Sequence, residues 1–136
     1  MFTIWLLISA LFLLLLDAMY LFFIRHYFNN QIKRVQGVPI KLNYYGIVIC
    51  YLTLILGLNY FIISDGSIRI GGGNDMTSKK ILDAFLLGIL IYGVYETTNL
   101  SILKNWSMKT VIIDTLWGGI VLSSTTAIIY GLQTKL

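Results

Sequence analysis

Residues 4–24 read IWLLISALFLLLLDAMYLFFI, a run in which Ser9 and Asp17 are the conspicuous polar breaks. A helix rises 1.5 Å per residue, so a run of this length reaches across about 30 Å of hydrocarbon. Three further runs of similar length follow at residues 42–63, 81–100 and 111–131. The 136 residues are 57% hydrophobic and 12% charged, with mean hydropathy +0.81. So few charges do not cover a water-soluble globule of this size. The expected fold is an all-α membrane protein: four transmembrane helices in an up-and-down bundle with short loops. Residues 1–136 then form one multi-pass domain.

The first run is not read as a cleaved secretory signal. No Lys or Arg precedes Leu11–Leu16, and the apolar run continues past Asp17 through Ile24. A retained first helix stopping at Arg25 is expected. The first and third loops carry Arg25, Lys33, Arg34, Lys41, Lys104 and Lys109, against Arg69, Lys79, Lys80 and Lys135 on the other side. Six basic residues against four place loops 25–41 and 101–110 in the cytoplasm and both termini outside. The net charge of +4 fits this rule and anionic lipid headgroups, with no nucleic-acid partner implied.

Several chemistries are excluded by inventory. Cys50 is the single cysteine, so no intramolecular disulfide or paired-thiol centre is available, and its place in an apolar run predicts burial. His26 is the single histidine, which rules out histidine-rich di-iron boxes and places this residue at headgroup level beside Arg25. No lysine lies deep in a span to form a retinal Schiff base. Gly71, Gly72, Gly73 and Asn74 lack the lysine and serine of a phosphate-binding loop and read as an external loop. Trp5, Trp106, Tyr44 and Tyr45 fall near helix ends, where aromatic rings anchor at the headgroups.

The informative residues are three acids within or at the edge of the spans: Asp17, Glu96 and Asp114. An ionised acid at mid-bilayer costs roughly 2.5–3.5 kcal/mol on insertion scales. Asp17 lies eight residues before Arg25 and Glu96 eight before Lys104, each about 12 Å inward; Asp114, five after Lys109, lies about 7–8 Å inward. All three occupy one leaflet. In the third span Tyr92, Glu96 and Asn99 form one stripe with Gly93 beside it, a small residue that lets another backbone approach. In the fourth, Asp114, Trp117, Gly118, Val121 and Thr125 share a face. The short connection 101–110 makes these two helices an antiparallel hairpin whose polar faces meet. Convergence of carboxylates in a low dielectric calls for a shared proton, a bound metal ion or a cationic ligand.

Each acid also has a purely structural reading. Asp114 is near enough to its helix N-terminus to interact with the macrodipole or Lys109. Asp17 and Glu96 also read as hydrogen-bonding packing residues, Glu96 less so than Asp17 because Asn99 shares its stripe, and Trp117 as a lipid-facing ring.

Leu16–Leu21, the segment Gly93–Leu100, Trp106 and Asp114–Gly118 together resemble a family of small predicted membrane proteins labelled only as a domain of unknown function. The resemblance covers nearly the whole chain and implies four membrane helices; it implies no reaction. The chain differs from the family pattern in Glu96, where aspartate is common, and Tyr20, where tryptophan is common.

Three functions follow. The first is binding or transport of a proton, cation or small substrate by Asp17, Tyr92, Glu96, Asn99, Asp114 and Trp117, with a homodimer completing the path. The second is a structural or accessory membrane subunit. The third is a membrane-embedded lipid-modifying enzyme using the carboxylates as acid, base or ligands of a divalent cation. Partners are therefore the lipid bilayer, a second copy, and a small-molecule, ion or lipid ligand; the one cofactor the sequence leaves open is a divalent cation at the carboxylate cluster.

Overall fold

In a computed structural model, which describes residues 2–63 and 74–135, the chain forms four helices: α1 (Phe2–Gln36), α2 (Tyr44–Leu58), α3 (Asn74–Ile102) and α4 (Met108–Lys135). α2 continues into a π-helical turn, Asn59–Ile63. Counting α2 with this turn, all four are long and apolar enough to cross a membrane. The protein is an all-α membrane protein, and no strand occurs among the described residues. Arg69 and the glycines at 71–73 lie outside them.

α1 does not stop at Arg25. It is 35 residues long, about 52 Å, and ends at Gly37, whose φ of 82° takes the left-handed conformation that terminates helices. The Gly37 amide donates to the Lys33 carbonyl at 2.8 Å. Lys33 and Arg34 sit in the last turn, where positive charge suits the macrodipole. The apolar run marks where hydrocarbon ends; the helix continues beyond it, so much of the expected loop 25–41 is helical.

α2 starts at Asn43, whose Oδ1 accepts from the Gly46 amide at 3.2 Å. At its other end Asn59 is fully buried; its Nδ2 donates to the Ile55 carbonyl and to Ser9 Oγ on α1, both at 2.8 Å. The Tyr130 hydroxyl donates to the Ile62 carbonyl at 3.4 Å. These bonds use backbone carbonyls at the change from α to π geometry.

α3 and α4 form the tightest pair in the fold, an antiparallel hairpin. Their backbones meet at Gly88 and Gly118: a Cβ added to Gly88 would lie 2.0 Å from the Gly118 carbonyl oxygen. Small residues allow this approach in membranes, where packing replaces the hydrophobic effect as the cause of association. The close approach falls at Gly88, not at the expected Gly93, where an added Cβ would only touch Thr115 at 3.6 Å.

The turn between them holds Asn105 at φ 66°, a left-handed conformation asparagine tolerates. It is pinned to α1 by Gln31, which is fully buried. Gln31 Nε2 donates to the Asn105 carbonyl at 2.8 Å, while its Oε1 accepts from Thr110 Oγ1 at 2.9 Å and from the Ser107 amide at 3.3 Å. Because Thr110 donates to Gln31, the Tyr27 hydroxyl donates to Thr110 across 2.9 Å.

Packing is uneven along the bundle. The apolar core comprises Leu13, Leu58, Ile62, Ala84, Leu122, Ile129 and neighbours, all toward the end that holds the π turn. At the other end α2 makes little contact with α3. Outward residues such as Leu7, Leu15, Phe23, Leu90 and Ile112 are exposed along the helices, a surface suited to lipid. Lys79 and Asp83 on α3 pair at 2.9 Å, largely exposed. Replacing Lys79 by alanine is expected to change unfolding free energy in micelles by less than about 0.5 kcal/mol, the usual worth of such a pair.

Candidate functional site

The three acids come together in the half of the bundle with the looser packing. Asp17 is 6%, Glu96 0% and Asp114 7% exposed. Each acid accepts from an aromatic donor. Asp17 Oδ1 accepts from Trp117 Nε1 at 2.9 Å, and Asp17 Oδ2 accepts from the Tyr51 hydroxyl. Asp114 Oδ1 accepts from the Tyr20 hydroxyl at 3.2 Å. Glu96 Oε2 accepts from Trp106 Nε1 at 2.8 Å.

Tyr20 and Trp117 are stacked, with ring centroids 4.5 Å apart and planes 7° from parallel. One ring donates to Asp114 and the other to Asp17. The stack therefore fixes the two aspartates relative to each other, α1 to α4. This geometry requires an i, i+3 spacing from Asp17 to Tyr20 and from Asp114 to Trp117, so that each acid and ring shares a helix face.

Glu96 and Asp114 lie within hydrogen-bonding reach of each other. Glu96 Oε1 is buried and finds no donor among the described residues. Two carboxylates in contact repel and have no hydrogen to offer; a proton on either one converts the contact into a hydrogen bond.

Asp17 and Asp114 line a cavity of about 810 Å³ between α1, α2 and α3, closed behind by α4. Tyr20, Tyr51, Tyr92 and Tyr95 line it as well, and its far end reaches Lys41 and Asn43 in the connection before α2. Glu96 does not line it and sits behind Asp114. Trp117 likewise acts through its bond to Asp17. Tyr92 packs its ring on Gly118, where an added Cβ would lie 2.3 Å from Tyr92 Cγ.

Of the residues singled out in the sequence, Asp17, Tyr92, Glu96, Asp114 and Trp117 share this region. Asn99 does not line the cavity itself; its side chain reaches Tyr95, which does. Cys50 is exposed, contrary to the expected burial, because it lies on the α2 face beside the gap to α3. Trp106 is buried at 7% exposure rather than standing at the headgroups, because the Asn105 turn directs it back onto Glu96. Asp114 forms no ion pair with Lys109 among the described residues; the Lys109 ammonium stands 5.6 Å from the Tyr27 ring centroid.

Tyr20, Tyr51 and Trp106 were not selected from sequence as site residues. The i, i+3 spacing of Tyr20 from Asp17 is a usable signal for the first. Nothing local identifies the other two, whose roles depend on how separate segments meet. No group of three or more His, Cys, Asp or Glu side chains among the described residues is arranged to hold a metal ion.

A family model described as "Predicted membrane protein (DUF2177)" matches residues 2–131. No curated protein matches the chain, and no solved structure does. With the match running from the start of α1 into the last turns of α4, the chain belongs to the DUF2177 family of predicted membrane proteins.

Proposed function

We propose that the protein binds a small cationic or proton-donating ligand in the cavity and exchanges it for a proton held by Asp114 and Glu96, in a binding or transport cycle. The observation that carries this reading is Glu96 Oε1, buried without a donor and set against an acid that opens to the cavity. Asp17, by contrast, has both oxygens satisfied. That full satisfaction favours a structural role for Asp17 alongside its place on the cavity wall.

In this cycle the acid pair holds one proton while the cavity is empty of ligand. A cation entering beside Asp114 offsets its negative charge, and the proton leaves to solvent. Total charge is conserved. The Tyr20–Trp117 stack keeps Asp17 at a fixed distance from Asp114, so both carboxylates meet the same ligand. The basic residues Lys33, Arg34, Lys41, Lys104 and Lys109 at this end support, by the positive-inside rule, a cavity mouth toward the cytoplasmic leaflet. Transport through so thin a bundle would pair two copies of the chain.

Infrared difference spectra of the protein in lipid test the proton. The expected result is a carboxylic-acid carbonyl band at neutral pH that disappears in Glu96→Gln or Asp114→Asn. Wild-type protein showing only carboxylate bands would end the proton-exchange reading. In proteoliposomes, proton-coupled flux should be lost in Glu96→Gln and in Asp17→Asn; folded wild-type protein without flux would restrict the function to binding.

A further inference from the structure

The cavity's lining selects among cations. Its inner end presents two carboxylates, Asp17 and Asp114, and four tyrosine rings, Tyr20, Tyr51, Tyr92 and Tyr95. The hydroxyls of Tyr20 and Tyr51 are already donated to the acids. What remains for a ligand is acceptor lone pairs and aromatic surface, the combination that attracts a positive charge. Among the described residues, Lys41 is the one basic residue on the wall. It precedes Asn43, and about 12 Å of α2 separates Asn43 from Tyr51, so it does not neutralise the acids.

Inorganic ions fit poorly. Calcium takes six to eight oxygen ligands and magnesium a tight octahedron, whereas a volume of about 810 Å³ is that of a small-molecule pocket. The remaining wall is largely apolar, including Leu21, Phe28, Ile47 and Leu54. Exposed Cys50 and Ile91 flank its open side, where α2 and α3 barely touch. An apolar body is therefore accommodated beside the charged end and has a route in from the bilayer.

We propose that the ligand is an organic ammonium ion with an apolar body, its nitrogen held between Asp17 and Asp114 inside the tyrosine rings. This rests on the proton-exchange reading above for what the acids release, with the buried, donorless Glu96 Oε1 standing behind Asp114. An ammonium bearing hydrogens can donate to the acids; a quaternary one is held by charge and ring faces alone. No covalent bond changes. One positive charge enters and one proton leaves.

The test uses the full chain in dodecyl maltoside micelles, whose headgroup carries no ammonium, with benzyltrimethylammonium as probe and neopentylbenzene, its uncharged carbon isostere, as control. Calorimetry should show saturable binding of the ammonium, about tenfold or more tighter than the isostere. Binding should fall by a similar factor in Asp17→Asn, Asp114→Asn and Tyr92→Leu. Unfolding midpoints identify any variant that merely fails to fold, and Lys79→Ala, an exposed position on α3 outside the cavity wall, should retain the affinity. Equal affinity for the two probes, or full affinity in folded Asp17→Asn and Asp114→Asn, overturns the proposal. An indicator dye separates the two readings. Ammonium binding without proton release supports this ligand class and overturns proton exchange; a carboxylic-acid band in protein that binds no ammonium overturns the ligand class and leaves proton exchange standing.

Discussion

Gly88→Ala is expected to lower the unfolding free energy of the protein in micelles by about 3 kcal/mol, at the upper end of what overpacking costs. The added methyl would stand 2.0 Å from the Gly118 carbonyl oxygen and 2.8 Å from the Gly119 nitrogen. Those are backbone atoms, with no side-chain torsion to relieve the overlap, so α3 and α4 must separate. Alanine's better helix propensity returns at most about 1 kcal/mol. Gly57→Ala is the matched control, because nothing lies within 4 Å of a Cβ there; it should leave stability unchanged or slightly raised. Gly118→Ala should do something more. Its methyl meets Tyr92 at Cγ, Cδ1 and also Cβ, which no side-chain torsion moves, so the hairpin should lose stability and the cavity a wall as well. A Gly88→Ala protein as stable as wild type would remove the backbone contact as the reason the hairpin holds.

Gln31→Leu is expected to cost about 2–4 kcal/mol and to free Trp106 from Glu96. Leucine fills a similar volume but leaves the Asn105 carbonyl and the Ser107 amide without their partner and takes the acceptor from Thr110. Each buried polar group stranded in this way costs about 1–3 kcal/mol. Gln31→Glu keeps the acceptors but sets a buried carboxyl against the Asn105 carbonyl, so it should be tolerated protonated at low pH and destabilise as pH rises. The specific readout is tryptophan emission, which should shift red as Trp106 moves from its 7% exposed site toward water. Emission unchanged in a destabilised Gln31→Leu protein would show that Trp106 is held by Glu96 alone.

Much of the architecture is legible in the sequence because hydrocarbon thickness sets a length that apolar runs must meet. The same ruler misplaces the end of α1, since it measures lipid and not helix. The true stop is written in other signs: Lys33 and Arg34, then Gly37, then Pro39. The acids stand out because a charge in an apolar run is costly, and helical spacing places Asp17 with Tyr20 and Asp114 with Trp117 on common faces. Spacing within one helix does not say how a neighbour is rotated or raised. Tyr51 reaches Asp17 only through the relative placement of α1 and α2, and Gly88 rather than Gly93 marks the crossing because the rotation of α3 decides it. Trp106 was hidden by a general rule, that tryptophans near helix ends face the headgroups. A single left-handed residue before it sends the ring inward.

The uneven lengths of the helices have a consequence for how the membrane acts on the protein. α2 with its π turn spans 20 residues, against 34, 26 and 28 for the other three, and so is the segment closest to matching about 30 Å of hydrocarbon with no surplus. Longer helices absorb a thicker or thinner bilayer by letting their ends protrude; the shortest must tilt or thin the lipid around it. α2 is anchored to the core at its π turn and loosely attached at the end that walls the cavity. Hydrophobic mismatch is thereby delivered to the gap between α2 and α3, making the lipid composition of the host membrane a determinant of how wide the cavity stands.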